Sequence, residues 1–320
     1  MKYYFAPLEG ITDLTYRNIH HKYFPGVHRY YMPFISPTQN HCLTKKEQRE
    51  LPFADSLPCE TIPQILTKSV EDFLWAAQCC KERGYDEVNL NMGCPSGTVV
   101  SKGKGSGMLG NLDILRHFLD EIYDKCPMKI SIKTRIGILS SEEFPNIIIL
   151  LNQYPLSELI IHPRVRPAFY KGNIEPDAFR HATEHSKHSL CFNGDITSRN
   201  DIQWVRDMFP TVSKVMIGRG LVTDPGFLSG GTNRNTLWSF HEELFDTYCN
   251  VFGNKQNAMC RMKEIWSMMI HLFADTHQHE KKLKRTSDYD TFRAVAKEVL
   301  STLPMTAISP SLHPDFKVSE

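Results

Sequence analysis

The stretch Asp86-Glu87-Val88-Asn89-Leu90-Asn91-Met92-Gly93-Cys94-Pro95-Ser96 decides the fold. Its first half reads as an apolar strand, and its second half as the loop into which that strand runs out. The loop continues from Gly97 to Gly110 and is rich in glycine and lysine. A thiol at the mouth of a strand, with an amide three residues before it, has two readings. In one it is a reaction centre: the amide hydrogen-bonds a planar polar ligand, and the thiol gives or takes a proton. In the other it is a small buried cysteine closing a strand end.

Working outward, the same alternation recurs from residue 1 to about 230. Short apolar runs lead into polar loops, and helical stretches follow. Eight strands are expected: Tyr3–Ala6, Arg29–Met32, Pro63–Leu66, Glu87–Asn91, Lys129–Lys133, Leu159–His162, Leu190–Asn193 and Lys214–Ile217. Several are β-branched or aromatic throughout, as strands covered on both faces tend to be. Helical spacing appears over Val70 to Arg83, with Gly84 as a C-terminal cap. It recurs over Asn111 to Tyr123, with Asn111 as N-cap, and over Ser198 to Met208. Eight such units predict an α/β fold, a (β/α)8 TIM barrel. A doubly wound dinucleotide fold would want G-x-G-x-x-G after the first strand, and Pro7-Leu8-Glu9-Gly10 is not that. Gly103-Lys104-Gly105-Ser106-Gly107 lacks the terminal Gly-Lys-Ser/Thr of a nucleotide loop. The connection from Pro33 to Pro63 is long and polar.

After Leu228 comes Ser-Gly-Gly-Thr-Asn, a flexible joint. Beyond it Leu237–Phe252, Ala258–Asp275 and Tyr289–Leu300 read as amphipathic helices. The expected division is therefore 1–232 as the barrel and 233–320 as a C-terminal all-α helical domain, with a loose tail from Pro304. The 320 residues suffice for one large domain and a smaller one. The net charge of +1 gives no whole-molecule field for polyanions, so a nucleic-acid site must come from local patches. Nine cysteines, an odd number without any C-x-x-C pair, and no leader before Tyr3 predict free thiols in a reducing, cytoplasmic compartment. The apolar run Ile147 to Leu151 is far too short to span a membrane. A monomer is expected.

In a barrel, reacting groups cluster at the carboxyl ends of the strands. Those ends carry Ala6-Pro7-Leu8, Gln64, Asn91 with Cys94, Lys133 with Arg135, and His162 with Arg164 and Arg166. The last two carry Asn193-Gly194-Asp195 and Gly218-Arg219-Gly220. Together they make a mouth lined with donors, which suits an anionic cofactor. Gly194 and Gly218 let backbone N–H groups approach a ligand. The loops after strands seven and eight commonly hold phosphate in this fold, and Arg219 can add a bidentate contact. Lys133 pointing inward is costly without an anionic partner.

In this order, Ala6-Pro7, Asn91-Met92-Gly93-Cys94-Pro95, Lys133-Thr134-Arg135-Ile136-Gly137, His162-x-Arg164 with Tyr170-Lys171-Gly172, Asn193-Gly194-Asp195-Ile196 and Met216-Ile217-Gly218-Arg219-Gly220 resemble the motif series of the tRNA-dihydrouridine synthases. These are FMN-dependent uridine reductases recharged by NADPH or NADH. The likeness spans residues 1 to about 228; beyond it the helical segment resembles the family's RNA-binding domain only in position and character. The resemblance implies that Ala6, Pro7 and Leu8 lie against the flavin. Gln64, Lys133 and His162 would hydrogen-bond its ring or ribityl chain. Asn193, Gly194, Asp195, Gly218 and Arg219 would bind the phosphate end. It also implies that Asn91 holds the uracil edge, that Cys94 is the general acid, and that Arg135, Arg164 and Arg166 lie near the cofactor or the RNA backbone. Two positions depart from the family: Pro163 stands where glycine is usual, and Leu8 where methionine is.

Reduction of the uracil C5=C6 bond needs a hydride from the flavin and a proton from the opposite side. A thiol with an ordinary pKa near 8.5 is mostly protonated at neutral pH and can give that proton. The base must first leave its stack, at a cost of a few kcal/mol. Lys102, Lys104, Lys45, Lys46 and the run Lys281-Lys282-x-Lys284-Arg285 are the phosphate contacts expected to offset it. Trp238, Phe240, Tyr248 and Trp266 are expected in the helical core. His181, His185 and His188 have helical spacing but no partner set for a metal. Three alternatives stay open: reduction of a free pyrimidine, as in dihydroorotate dehydrogenases; action on rRNA; and an RNA-binding protein without redox chemistry.

Overall fold

The computed structural model of the protein describes residues 1–306; the expected tail beyond residue 306 lies outside the described residues. The described residues contain nine strands: β1 (Lys2–Phe5), β2 (Arg29–Tyr31), β3 (Thr61–Ile62), β4 (Gln64–Ile65), β5 (Glu87–Met92), β6 (Lys129–Arg135), β7 (Leu159–His162), β8 (Leu190–Asn193) and β9 (Lys214–Ile217). They form one sheet in the order β3-β2-β1-β9-β8-β7-β6-β5-β4. The two outer members, β3 and β4, are separated in sequence by Pro63 alone, so the sheet closes on itself as an eight-stranded barrel. Proline has no N–H for the ladder, so it parts β3 from β4; the expected third strand, Pro63–Leu66, corresponds to β4, and β3 lies before it. The Pro63 carbonyl still accepts the Asn89 N–H at 2.8 Å. The β4–β5, β5–β6, β6–β7, β7–β8 and β8–β9 ladders are parallel, as are β1–β2 and β2–β3. Parallel pairing demands crossover connections, and the helices supply them.

Those helices are α1 (Leu14–Tyr23), α2 (Lys45–Glu50), α3 (Val70–Glu82), α4 (Gly97–Val100), α5 (Leu112–Lys125), α6 (Phe144–Leu151), α7 (Pro176–His185), α8 (Arg199–Met208) and α9 (Arg219–Thr223). The capping signals act as read. The Asn111 side chain accepts from the N–H groups of Asp113 and Ile114, and Gly84 takes φ +82° just past α3. The long connection before β3 is not loop throughout: α2 forms there behind a capping box between Thr44 and Glu47.

The chain divides into two compact units. One holds Met1–Pro7, His28–Gly194 and Gln203–Met216, and so contains the barrel interior. That interior is layered. At the amino ends of the strands, buried Glu158 accepts from the hydroxyls of Tyr4 (3.4 Å) and Tyr31 (3.2 Å) and from Lys214. Arg29 bridges Glu60 and Glu87 at the same end. Above this charged plug lies an apolar layer of Tyr4, Ala6, Tyr31, Ile62, Ile160, Cys191 and Met216. A packed, paired floor confines chemistry to the opposite, carboxyl end.

The second unit comprises Leu8–Val27, Asp195–Ile202 and, among the described residues, the chain from Ile217 onward. It gathers α1 with four further helices: α10 (Arg234–Phe252), α11 (Lys255–Met269), α12 (His277–Arg285) and α13 (Tyr289–Thr302). Phe240 of α10 packs edge-on against Tyr16 and Phe24. The Tyr248 hydroxyl donates to Asp13 at 2.8 Å, tying α10 to the N-cap of α1. Phe240, Tyr248 and Trp266 are core residues, as expected; Trp238 is half-buried beneath Arg293 and Lys297. The basic run at Lys281 is helical: it lies on α12, where only Leu283 is buried. Among the described residues no helix is long and apolar enough to cross a membrane.

Candidate active site

A chain of buried amides ends on the cysteine. Side chains alternate along a strand, so Asn89 and Asn91 both point into the barrel from β5. Ser131 Oγ accepts from Asn89 Nδ2 (2.9 Å), Asn89 Oδ1 from Gln64 Nε2 (2.8 Å), and Gln64 Oε1 from Asn91 Nδ2 (2.7 Å). Asn91 Oδ1 then accepts the backbone N–H groups of Gly93 (3.1 Å) and Cys94 (3.0 Å). The assignments by resemblance are thereby refined. Gln64 is 0% exposed and holds Asn91 in place. The carboxamide oxygen of Asn91 is filled, which leaves only its second N–H for a ligand. Asn89 and Ser131 were not singled out from the sequence, although the two-residue spacing of Asn89 and Asn91 carried the signal.

The other side of Cys94 is held by the glycine-rich loop. Its carbonyl accepts from the Ser106 hydroxyl (2.9 Å) and the Ser106 N–H (3.1 Å). Gly105 makes this approach possible. It takes φ +59°, and a Cβ there would stand 2.8 Å from the Cys94 carbonyl oxygen. The loop that resembles a nucleotide cradle thus serves as a brace for Cys94. The peptide groups on both sides of the cysteine are fixed, and the thiol itself is half-buried.

Lys133 sits beside Asn91 in the β5–β6 register. Among the described residues its ammonium has no carboxylate or hydrogen-bond partner. Desolvation pushes it down to about 8, Arg135 adds to the shift, and the thiols of Cys191 and Cys94 oppose it. Such a group is built for a negative charge that the protein does not supply.

Arg135, expected near the cofactor or the RNA backbone, is 1% exposed. Its guanidinium donates to the carbonyls of Gly93 (2.9 Å), Val165 (3.1 Å) and Phe169 (2.6 Å). It therefore clamps the cysteine loop to the loop after β7. Arg164 is also buried, donating to Gly172 and lying 3.2 Å from His162 Nε2. Pro163 fits because Arg164 N–H closes a three-residue turn on the His162 carbonyl at 2.7 Å; proline's fixed φ suits the centre of an inverse γ-turn.

Ala6 is buried and Pro7 half-exposed at the end of β1. Asn193 donates to the Met216 carbonyl (2.8 Å), linking the ends of β8 and β9. A Cβ on Gly194 would meet Ile174 at 3.1 Å and His162 at 3.6 Å. Lys102 is exposed and Lys104 half-exposed on the brace loop. In the second unit, Leu8 opens the turn before α1, donating its N–H to Thr12. Gly218 and Arg219 begin α9, and Arg219 pairs with the buried Asp195 carboxylate at 2.7 Å. A carboxylate repels phosphate, so this geometry makes Asp195 the holder of Arg219. Gly220 is required by packing: a Cβ would lie 2.3 Å from the Ile196 carbonyl oxygen.

Comparison with known proteins gives concordant matches. A family model described as dihydrouridine synthase (Dus) matches residues 4–308. A Pasteurella multocida (strain Pm70) protein named tRNA-dihydrouridine synthase B is 28% identical over 223 residues, 69% of this chain and 66% of that one. A Shewanella oneidensis protein of the same name is 28% identical over 218 residues, 67% of this chain and 66% of that one. The matched stretch thus spans just under two thirds of these relatives. Among solved structures, a morphinone reductase variant in complex with tetrahydroNAD superposes with a TM-score of 0.52 at 11% identity, over 71% of this chain and 85% of that one. This last likeness concerns the fold.

Proposed function

This chain belongs to the dihydrouridine synthase family, and on that premise we propose that it reduces uridine to 5,6-dihydrouridine in tRNA, with bound FMN, NADPH or NADH as reductant and Cys94 as proton donor. The single observation that carries the reading is the double pinning of Cys94 next to the unpartnered, desolvated ammonium of Lys133. An acid whose backbone is held and a half-buried, desolvated cation without an anion are two halves of one reductive site.

The residues fit FMN. Lys133 offers the positive charge that an electron-rich ring edge needs. Pro7 supplies an apolar surface at the end of β1, and His162 an imidazole ring at the end of β7. Gly194 leaves room that a Cβ would take. In the second unit, Arg219, held by Asp195, is the candidate that the family resemblance offers for the phosphate. When bound, the flavin supplies the hydride for C6 of the base.

The chain's own groups do the rest. The remaining N–H of Asn91 donates to a uracil carbonyl and orients the base. Cys94 gives its thiol proton to C5. Ser106 and Asn91 hold the main chain of Cys94 so that its rotamer alone sets the direction of transfer, which is the kind of pre-positioning that lowers a barrier without new contacts. Lys102 and Lys104 are placed on the brace loop to meet the RNA backbone.

The test is direct. Purified protein should be yellow and should convert uridine to dihydrouridine in an unmodified tRNA transcript when NADPH is added. Colourless protein that cannot be reconstituted with FMN would overturn the reading.

A further inference from the structure

Lys171 N–H bonds the Ala168 carbonyl at 3.1 Å, closing a four-residue turn. Its first central residue, Phe169, has φ +45° and ψ −110°. Those angles are the type II′ position that glycine normally takes. A bulky aromatic residue there is strained, and strain of this kind persists only where the surroundings enforce it. The surroundings do so here: buried Arg135 grips the Phe169 carbonyl at 2.6 Å. The same guanidinium grips Gly93, the residue before Cys94, at 2.9 Å.

The strain does not bury the ring. Phe169 is 48% exposed and Tyr170 49%. Leu139, on the neighbouring loop after β6, is 73% exposed, and Arg166 N–H bonds the Gly137 carbonyl to join the two loops. Tyr170 is anchored: its ring lies over Arg135 and stacks on His162. Phe169 is the member turned outward. Positive charge flanks it. Lys171 is exposed, and the Nε of Arg166 is buried with no hydrogen-bond partner among the described residues.

We propose that Phe169 is a stacking platform for an unpaired nucleobase of the RNA substrate, adjacent to the target uridine, with Arg166 and Lys171 meeting the phosphates beside it. The proposal rests on the RNA-uridine reading above and extends it to a residue outside the chemistry. A base stacked on an aromatic ring needs no particular sequence, so the platform receives whichever base is displaced with the uridine. Arg135 couples the platform to the Cys94 loop through two carbonyls.

The experiment compares the wild-type holoenzyme with Phe169→Gly and Phe169→Trp. Relief of strain should raise the melting temperature of Phe169→Gly by a few degrees. Its affinity for an unmodified tRNA transcript should fall roughly 5- to 100-fold, while flavin reduction by NADPH is unchanged. Phe169→Trp should bind the transcript within about threefold of wild type, since it keeps the π-face. Transcript affinity unchanged in Phe169→Gly, or lowered equally in both variants, would overturn the platform. A drop in melting temperature for Phe169→Gly would overturn the strain argument beneath it. If wild-type holoenzyme binds the transcript but makes no dihydrouridine, the activity reading fails and the binding comparison still decides the platform.

Discussion

The side-chain oxygen of Asn91 lies 3.0 Å from the backbone nitrogen of Cys94. That one bond converts the period-two geometry of β5 into the position of a reactive thiol. Gln64, Asn89 and Ser131 support it from three other strand positions, so the cysteine inherits the rigidity of the barrel wall.

Asn91→Ala would leave the N–H groups of Gly93 and Cys94, and the oxygen of Gln64, without partners. Unpaired buried polar groups cost about 1–3 kcal/mol. Urea unfolding should show a loss of that size. Reoxidation of reduced enzyme by RNA should slow at least tenfold, while flavin reduction by NADPH stays close to wild type. Equal slowing of both half-reactions would mean that the amide chain serves the fold alone.

Gly105→Ala tests the brace from the other side. The new Cβ would fall 2.8 Å from the Cys94 carbonyl oxygen on a backbone with φ +59°. A loss of about 1–3 kcal/mol is expected, together with a change in the rate at which iodoacetamide labels Cys94. Labelling of the exposed Cys42 and Cys260 should not change. Unaltered labelling at Cys94 would show that the loop does not hold it.

Lys133→Met should stabilise flavin-free protein at pH 7 while impairing flavin binding. Burial lowers the Lys133 ammonium from 10.5 to about 8. Its folded value thus lies below its unfolded one. Between pH 8 and 10.5 the unfolded chain holds more protons, so stability rises with pH across that window. Below pH 8 the penalty is full, about 3 kcal/mol. The variant should gain that amount at pH 7 and lose the rise above pH 8. A variant less stable than wild type at both pH values would remove the case for an unpartnered cation.

Acid should weaken the second unit. His20 and His241 are buried and desolvation holds each down to about 3; His241 also accepts from Trp266 Nε1 at 2.9 Å. Both fold as neutral rings, so their contribution is complete above pH 6.5 and is lost as pH falls towards 3. The urea midpoint followed by tryptophan fluorescence should drop between pH 7 and pH 5. A flat midpoint over that range would contradict this.

Much of the fold could be read from the sequence because strand ends announce themselves. All eight expected strands sit within a residue or two of their observed limits; the ninth, β3, is a two-residue strand that Pro63 parts from β4. Asn91, Cys94 and Lys133 could be read as a set because a fixed spacing on adjacent parallel strands places them together. The partners of Arg135 and Asp195 were not legible for one reason. Charge and motif membership say that a residue matters, but which atoms it bonds depends on carbonyls and partners brought close by loops far apart in sequence. Gly105 was noticed for a nucleotide motif it does not complete, although its use is local packing. Phe169 carries no sequence signal at all, since its turn geometry is visible only in the backbone angles.

The most direct measurement is a single-turnover reaction of photoreduced Cys94→Ala holoenzyme with unmodified tRNA transcript. The account predicts that the variant binds flavin and transcript as wild type does, that NADPH still reduces it, and that dihydrouridine formation slows by about 10²–10⁴-fold, the span ascribed to a positioned general acid. Dihydrouridine formed at the wild-type rate would contradict the assignment of Cys94 and with it the purpose of the scaffold around it.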